Sequence, residues 1–126
     1  MPEPEAWLRR ADSALREADA LLDQGFIAAS ISRSYYAMFY AARALLASRG
    51  LSPKTHGGVL QKLGDLFVKP GLLPSEMTSA MGATMELREQ ADYEPESAAI
   101  NQTKAGEALS AARRFVSHAE GFLRPH

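Results

Sequence analysis

Apolar residues recur at helical spacing along most of the chain. Leu8, Ala11, Leu15, Ala18 and Leu22 show this spacing in the first segment. The chain has no alternating run of β-branched residues, and it lacks the Asn-Gly and Asp-Gly pairs that mark tight hairpins. The pattern therefore predicts an all-α protein.

Glycine and proline divide the helical pattern into five predicted helices, over about residues 5–23, 26–49, 52–68, 75–91 and 96–122. Gly25 and Gly50 are the predicted stops of the first two helices. Ser52 is the predicted cap of the third, with Pro53 in its first turn. Because short connections favour antiparallel neighbours, we expect an up-and-down bundle of four to five antiparallel helices, in a single domain over residues 1–126.

The second predicted helix is apolar or aromatic on two opposite sides. One stripe consists of Ile31, Tyr35, Met38, Ala42 and Leu45. The opposite stripe consists of Arg33, Tyr36, Ala37, Tyr40, Ala44 and Ala47. Such a helix is covered on both sides. One side belongs to the core, and the other faces a further helix, a second subunit or a ligand.

Composition excludes several classes of function. The chain has 126 residues and a formal net charge of -1, so a nucleic-acid contact must come from a local basic patch. The absence of cysteine excludes disulfides, thiolate metal sites and a cysteine nucleophile. No apolar run is long enough to span a membrane. The first residues are acidic and lack the apolar run of a signal peptide, so we expect a cytoplasmic protein.

Arg33 and the pair of Arg88 with Asp92 are charged residues on predicted helix faces that also carry apolar side chains. Arg33 either has a structural role, stacked on Tyr36 or Tyr40 or paired with a carboxylate, or binds an anion through its planar donors. Arg88 and Asp92 are four residues apart, but base before acid is the weaker order for an intrahelical pair. We therefore expect partners for them elsewhere.

Lys54, Thr55 and His56 lie where the third predicted helix begins. Free N–H groups at a helix N-terminus bind anions, and the helix dipole favours a neutral imidazole that can act as a base. The alternative is a histidine bonded to backbone or solvent. Gly57 and Gly58 cost roughly 1 kcal/mol each relative to alanine in a helix, which predicts the close approach of another group, such as a further helix.

Other chemistries lack a signal. The sequence has no Gly-rich phosphate loop, no His-Glu-x-x-His and no Gly-x-Ser-x-Gly. Metal ligands at suitable spacing are also missing, so we expect neither a metal nor a cofactor. Arg49 and His56 are separated by six residues, but Gly50 and Pro53 interrupt any helix between them.

Three segments together resemble the HEPN domain family, in its small stand-alone prokaryotic branch. They are 33–46 (Arg-x-Tyr-Tyr-Ala-x-Phe-Tyr-Ala-Ala, then Ala-Leu-Leu), 54–59 (Lys-Thr-His, then Gly-Val) and 88–93 (Arg-x-x-x-Asp-Tyr). The resemblance extends over about residues 11–116. It implies a five-helix bundle that commonly forms a homodimer and binds nucleotides or RNA.

The resemblance also implies a toxin–antitoxin setting. Many members of the family are metal-independent RNases, often toxins partnered with a minimal nucleotidyltransferase antitoxin. Their active motif is an arginine, four to six residues, then a histidine. Arg88 matches the arginine, but Tyr93, Glu94 and Pro95 occupy the positions where the histidine would fall.

Three hypotheses follow. The first is a nucleotide- or RNA-binding module that acts with a nucleotidyltransferase-type partner, with Arg33, Lys54, His56 and Arg88 on phosphate, and Tyr36, Tyr40 and Tyr93 stacking. The second is an RNase with His56 as general base, assisted by Arg33 and Arg88. The third is a non-catalytic dimeric interaction protein in which the arginines are structural.

The bundle order predicts which of these residues meet. His56 should lie near Arg88 and Asp92, and Asp92 or Tyr93 should contact His56 or Lys54. Arg33 is expected about 24 Å along its helix from the start of the next one, at 1.5 Å per residue. It would then reach the other residues only from a second subunit.

Overall fold

The computed structural model of the protein describes residues 3–124. Its five α-helices are α1 (Pro4–Asp23), α2 (Ile27–Ala47), α3 (His56–Leu63), α4 (Glu76–Tyr93) and α5 (Gln102–Leu123). A π-helical turn, Gly64–Val68, continues α3. No strand occurs between residues 3 and 124. The predicted all-α helical bundle is confirmed.

Helix α2 is the centre of the fold, because α1, α3, α4 and α5 all pack against it. Its predicted apolar stripe is fully buried: Ile31, Tyr35, Met38, Ala42 and Leu45. The opposite stripe is covered largely by α1 of the same chain, where Trp7 stacks on Tyr40 with ring centroids 5.9 Å apart. The sequence left open whether a further helix, a second subunit or a ligand packs against this side. The structure shows a further helix there.

Small residues let α1 and α2 lie close together. Ala11, Ala14 and Ala18 of α1 are fully buried. The buried Ser30 hydroxyl of α2 donates a hydrogen bond to the Ala18 carbonyl at 2.8 Å, which satisfies a polar group in the interface. This close packing holds the polar residues of α1 beside the aromatic residues of α2.

The start of α3 differs from the prediction. Ser52, Pro53 and Lys54 are not helical, and α3 begins at His56. Its N-cap is Thr55, whose Oγ1 accepts a hydrogen bond from the Gly58 N–H at 2.9 Å. The Ser-Pro signal was wrong because a second capping residue three positions later makes the hydrogen bond that starts the helix.

The connection from α2 to α3 runs back along α2. Gly50 has a φ of +73°, and the N–H of Leu51 bonds the carbonyl of Leu46 at 2.9 Å, which reverses the chain. Arg43 Nη1 then donates to Ser52 Oγ at 3.2 Å, so Ser52 lies beside α2 well before its end. His56, the first residue of α3, contacts Phe39 and Tyr35, which precede Arg43 by four and eight residues. The connection therefore passes about two turns of α2.

The start of α5 is also later than predicted, at Gln102 rather than Glu96. Residues 94–101 form turns, and the Asn101 side chain caps the helix by accepting a hydrogen bond from the Lys104 N–H at 2.8 Å. Pro95 ends α4 as expected, but it does not open α5. The hydrogen bond of Asn101 fixes the start instead.

The close approach predicted for the two glycines of α3 occurs at Gly58 but not at Gly57, and it comes from Thr55 and Pro53 of the preceding connection rather than from another helix. A Cβ placed on Gly57 would meet nothing within 4 Å. A Cβ on Gly58 would lie 2.9 Å from Thr55 Oγ1, the atom that caps the helix. Gly58 thus leaves room for the cap of its own helix.

This difference makes the two glycines a matched pair for a stability test. Gly57→Ala should raise the free energy of unfolding by up to about 1 kcal/mol, because alanine favours the helix and meets no atom. Gly58→Ala should be less stable than Gly57→Ala by about 1 kcal/mol, because its Cβ displaces the Thr55 cap. Urea unfolding of both variants measures the difference. Equal stabilities would contradict the assignment of Thr55 as the cap.

None of the helices between residues 3 and 124 combines the length and the apolar character that a membrane span requires.

Candidate functional site

Four aromatic residues of α2 and the first residue of α3 form an aromatic cluster: Tyr35, Tyr36, Phe39, Tyr40 and His56. At about 100° per residue, spacings of one, four and five residues place the α2 members within about 140° of arc, across the border between the two stripes. The His56 ring stacks on Phe39, with centroids 4.2 Å apart and planes 13° apart. The connection that runs back along α2 brings His56 to this point.

Tyr35 holds His56 by a hydrogen bond. The Tyr35 hydroxyl lies 2.6 Å from His56 Nδ1, and Tyr35 is fully buried. Burial raises the pKa of Tyr35 to about 12, so its hydroxyl keeps its proton at neutral pH. The contact fits either neutral tautomer: the hydroxyl donates to Nδ1 when Nε2 carries the ring proton, and it accepts from Nδ1–H when Nε2 is free. Tyr35, which was predicted in an apolar stripe and not among the site residues, therefore also orients His56.

His56 favours the neutral form. Burial lowers the pKa of His56 below its usual 6.5, and the nearby positive charges of Arg88 and Arg43 lower it further. A neutral imidazole at physiological pH can accept a proton. The prediction of a neutral His56 agrees with this direction of shift. The pKa is lowered by desolvation and by the charges of Arg88 and Arg43, whereas the prediction was based on the helix dipole.

Arg88 of α4 covers the aromatic cluster. Its guanidinium carbon lies 4.9 Å from the centroid of the Tyr35 ring and 5.5 Å from that of Tyr36. Nη1 is 3.5 Å from Asp92 Oδ2. The side chain is 20% exposed, so its charge stays within reach of solvent. The expected partners beyond Asp92 are thus the aromatic faces of two tyrosines, and the prediction that His56 lies near Arg88 is confirmed.

Arg33 joins the same cluster within one chain. Its guanidinium carbon is 5.4 Å from the Tyr36 centroid, and Nη2 is 3.2 Å from Glu17 Oε1 of α1. Arg33 and Arg88 therefore contact the same ring, and the prediction that Arg33 lies far from Arg88 was wrong. The error came from placing the start of α3 at the end of α2. No second subunit is needed to bring these residues together.

Arg43 is a member of the site that was not predicted from the sequence. Its guanidinium carbon is 5.1 Å from the centroid of Phe39 and 5.5 Å from that of Trp7. A signal was present, because Arg43 follows Phe39 by four residues and so lies above it on the helix. The role of Trp7 had no such signal, since the position of α1 against α2 depends on packing.

The three arginines share one feature. The Nε atoms of Arg33, Arg43 and Arg88 are buried and have no hydrogen-bond partner among the described residues. Each guanidinium instead lies over an aromatic ring, which attracts a cation through its face. Among the described residues, two carboxylates form ion pairs with these arginines: Glu17 with Arg33 and Asp92 with Arg88. The cluster is therefore a partly exposed, positively charged aromatic surface that suits an anion with a planar group.

Other predicted site residues lie away from these contacts. Lys54 is exposed. Tyr93 is 86% exposed at the end of α4. Among the hydrogen bonds and ion pairs of residues 3–124, Asp92 joins Arg88, and none joins Asp92 or Tyr93 to His56 or Lys54. That predicted contact was wrong.

Arg49 and His118 lie outside the aromatic cluster. Arg49 lies over Phe67, 4.7 Å from the ring centroid, so its spacing from His56 does not place it in the cluster. His118 bonds Glu76 at 3.3 Å on the surface, away from the aromatic cluster, and His126 lies outside the described residues. No group of three or more His, Asp or Glu side chains between residues 3 and 124 could hold a metal ion.

The lowered pKa of His56 predicts how stability depends on pH. The unfolded chain takes up a proton at about pH 6.5 and the folded chain only at lower pH. The His56 contribution to stability is therefore present above pH 6.5 and is lost as pH falls through the folded pKa. Urea unfolding across this window should show a steeper loss for the wild type than for His56→Gln. Parallel curves would contradict the lowered pKa.

Comparisons with known proteins agree with this helical arrangement. A family model described as the HEPN domain matches residues 4–122. A UPF0332 protein of Gloeobacter violaceus is 35% identical over 97% of both chains. A protein of Methanocaldococcus jannaschii named "Putative toxin MJ0142" is 33% identical over 73% of this chain and 63% of its own. The crystal structure of TT1696 from Thermus thermophilus has the same fold, with a TM-score of 0.79, 24% identity and coverage of 97% and 99% of the two chains.

Proposed function

The chain belongs to the HEPN domain family, and we propose that it binds a nucleotide or RNA at the aromatic cluster. We place this binding in a toxin–antitoxin setting, with the chain as a homodimer that works with a nucleotidyltransferase-type partner. Support for the toxin role comes from the names of two relatives in Methanocaldococcus jannaschii. The partner and the homodimer rest on the family resemblance.

One observation carries the proposal. Three arginines lie over the aromatic cluster, each with a buried Nε that no described residue satisfies. Guanidinium groups suit phosphate because their donors form a planar fork. Partly exposed aromatic rings suit bases because every base has a face that can stack. Tyr36 and Tyr40 are partly exposed and provide such rings.

The proposal gives each residue a role. Arg33 of α2 and Arg88 of α4 bind phosphate. His56 forms a hydrogen bond with the ligand beside them. Tyr36 and Tyr40 stack on bases. Lys54 and Tyr93 are exposed and add contacts from the neighbouring connection and from the end of α4.

A binding titration tests the proposal. Fluorescently labelled nucleotides and short single-stranded RNAs should bind with saturation, and the affinity should fall as salt concentration rises. A variant with Arg113→Gln, on the surface of α5, serves as a control that removes charge elsewhere. The absence of saturable, salt-sensitive binding to every one of these ligands would refute the proposal.

The toxin–antitoxin setting has its own test. Expression of the chain alone should slow growth, and co-expression with a nucleotidyltransferase encoded beside it should restore growth. The two proteins should also co-purify. Growth unaffected by the chain at high expression would remove the toxin role.

A second candidate, a metal-independent RNase, is favoured by the meeting of His56, Arg33 and Arg88 in one chain. In the tautomer whose Nδ1–H donates to the Tyr35 oxygen, His56 Nε2 would take the proton of a ribose 2′-hydroxyl while the 2′-oxygen attacks the adjacent phosphorus. The bond from phosphorus to the 5′-oxygen would break, and water would protonate that oxygen. The arginines would stabilise the charge on the phosphorus centre. His56 would thus replace the motif histidine that residues 93–95 lack.

A further inference from the structure

A second positively charged surface lies between α1 and α2. A cavity of about 390 Å³ is lined by three arginines and three other polar side chains: Arg9, Arg10, Arg33, Ser13, Tyr40 and Glu17. We refer to it as the arginine cavity. Two of its arginines, Arg9 and Arg10, are exposed and belong to α1.

The arginine cavity adjoins the aromatic cluster. Arg33 lines the cavity and also lies 5.4 Å from the Tyr36 centroid, while Arg88 lies 5.5 Å from the same centroid. Tyr40 lines the cavity and contacts Tyr36, with centroids 5.8 Å apart. One ligand long enough to cross Tyr36 could therefore touch both surfaces.

The chemistry of the cavity selects phosphate. Three arginines and one carboxylate are among the lining residues, and that carboxylate, Glu17, pairs with Arg33 at 3.2 Å. Arg10 is held over Trp7 at 4.8 Å from the ring centroid, so its charge is positioned before any ligand binds. The Tyr40 and Ser13 hydroxyls add donors. Repeated negative charge together with stackable rings is the pattern of a nucleic-acid strand rather than of one nucleotide.

Resting on the proposed binding at the aromatic cluster, we propose that the arginine cavity holds the phosphodiester backbone of a single strand that continues from that cluster. Arg9 and Arg10 bind phosphates next to the one held by Arg33 and Arg88. The ligand of the protein is then an oligonucleotide, and a dinucleotide occupies only the aromatic cluster.

Two double variants with the same change in charge test this extension. Arg9→Gln with Arg10→Gln removes two charges from the cavity. Arg16→Gln with Arg113→Gln removes two from exposed positions that lie outside it and form surface ion pairs with Asp12 and Asp19. Glutamine is close to arginine in helix propensity, so both variants should fold. A single-stranded RNA oligonucleotide and a dinucleotide are titrated against each protein.

The cavity variant should bind the oligonucleotide about tenfold more weakly than the wild type and with a smaller dependence on salt, since each lost phosphate contact lowers the salt slope by about one unit or less. Dinucleotide affinity should be unchanged. The matched variant should resemble the wild type for both ligands. A DNA strand of the same sequence shows which sugar the surface prefers, and a loss confined to the cavity variant with either strand supports the proposal.

Other results separate the two proposals. If the wild type binds neither ligand, the proposed function itself is refuted. If the wild type binds both ligands and the two double variants lose affinity equally, only the arginine cavity is refuted. A cavity variant that keeps its RNA affinity but changes oligomeric state in light scattering would make this surface an interface between copies, which also refutes the proposal.

Discussion

Replacing Arg88 with alanine should weaken RNA binding by about ten- to a hundredfold and should raise the pKa of His56. The loss of a charge-assisted hydrogen bond to phosphate costs about 1.5–3 kcal/mol, and each 1.4 kcal/mol is about tenfold in affinity. The pKa rises because the Arg88 charge is one of the groups that lower it. Binding titrations and an NMR titration of the His56 ring measure the two effects separately.

Two further variants make the Arg88 experiment specific. Arg88→Lys keeps the charge but loses the planar group that stacks on Tyr35 and Tyr36, so it should restore only part of the affinity. Arg16→Ala, on an exposed part of α1, should change neither quantity. Unaltered RNA affinity in Arg88→Ala would show that Arg88 does not bind phosphate.

The Arg88 variants also bear on the third hypothesis, a dimeric interaction protein whose arginines are structural. Arg33 fits part of that description, because it stacks on Tyr36 and pairs with Glu17 while only 31% of its side chain is exposed. If the arginines only stabilise the fold, Arg88→Ala should lower the melting temperature markedly and no RNA should bind. If they form a binding surface, affinity should fall more than stability.

Much of the fold could be predicted from local signals. The bounds of α1, α2 and α4 lie within two residues of the predicted ones. Gly25 and Gly50 end the first two helices with φ values of +82° and +73°, which side chains with a Cβ rarely adopt. The double-sided pattern of α2 likewise indicated a helix covered on both sides. These features depend on neighbours in sequence, so periodicity reveals them.

The path of the connection between α2 and α3 could not be predicted in this way. It depends on Leu51 bonding back to Leu46 and on Ser52 lying beside Arg43. Neither contact follows from spacing, because both arise from how an extended segment packs on a helix. The prediction assumed that His56 starts level with the end of α2, and this single error separated Arg33 from Arg88.

The site residues likewise divide into those with a local signal in the sequence and those without one. Arg33, His56 and Arg88 stood out because a charged or imidazole group among aromatic residues is unusual. Tyr35 was predicted as part of an apolar stripe and is indeed buried, but its hydroxyl also bonds His56. Trp7, Arg9 and Arg10 had no local signal, since their role depends on the face of α1 that packs against α2. A residue whose partner is distant in sequence becomes visible only in three dimensions.

If the protein is an RNase, replacing His56 with alanine should reduce metal-independent RNA cleavage by about 10²–10⁴-fold, the usual contribution of a general base. The His56 ring is the group suited to this role, because it is neutral and because Nε2 is free to accept a proton when Nδ1–H donates to the Tyr35 oxygen. Cleavage by the wild type should therefore persist below pH 6.5, since the acid limb of the rate profile follows the lowered pKa of His56. A gel assay with chelator present measures both quantities.

His118→Ala is the matched control, because it removes a surface imidazole that bonds Glu76 and leaves the aromatic cluster intact. Its activity should equal that of the wild type. Tyr35→Phe removes only the hydroxyl that orients His56, so it should lower the rate by less than His56→Ala while RNA binding stays close to that of the wild type. Equal cleavage by His56→Ala and His118→Ala would eliminate His56 as the base. The absence of wild-type cleavage, together with salt-sensitive RNA binding, would leave the protein as a binding module whose Tyr35–His56 pair positions a ligand without breaking it.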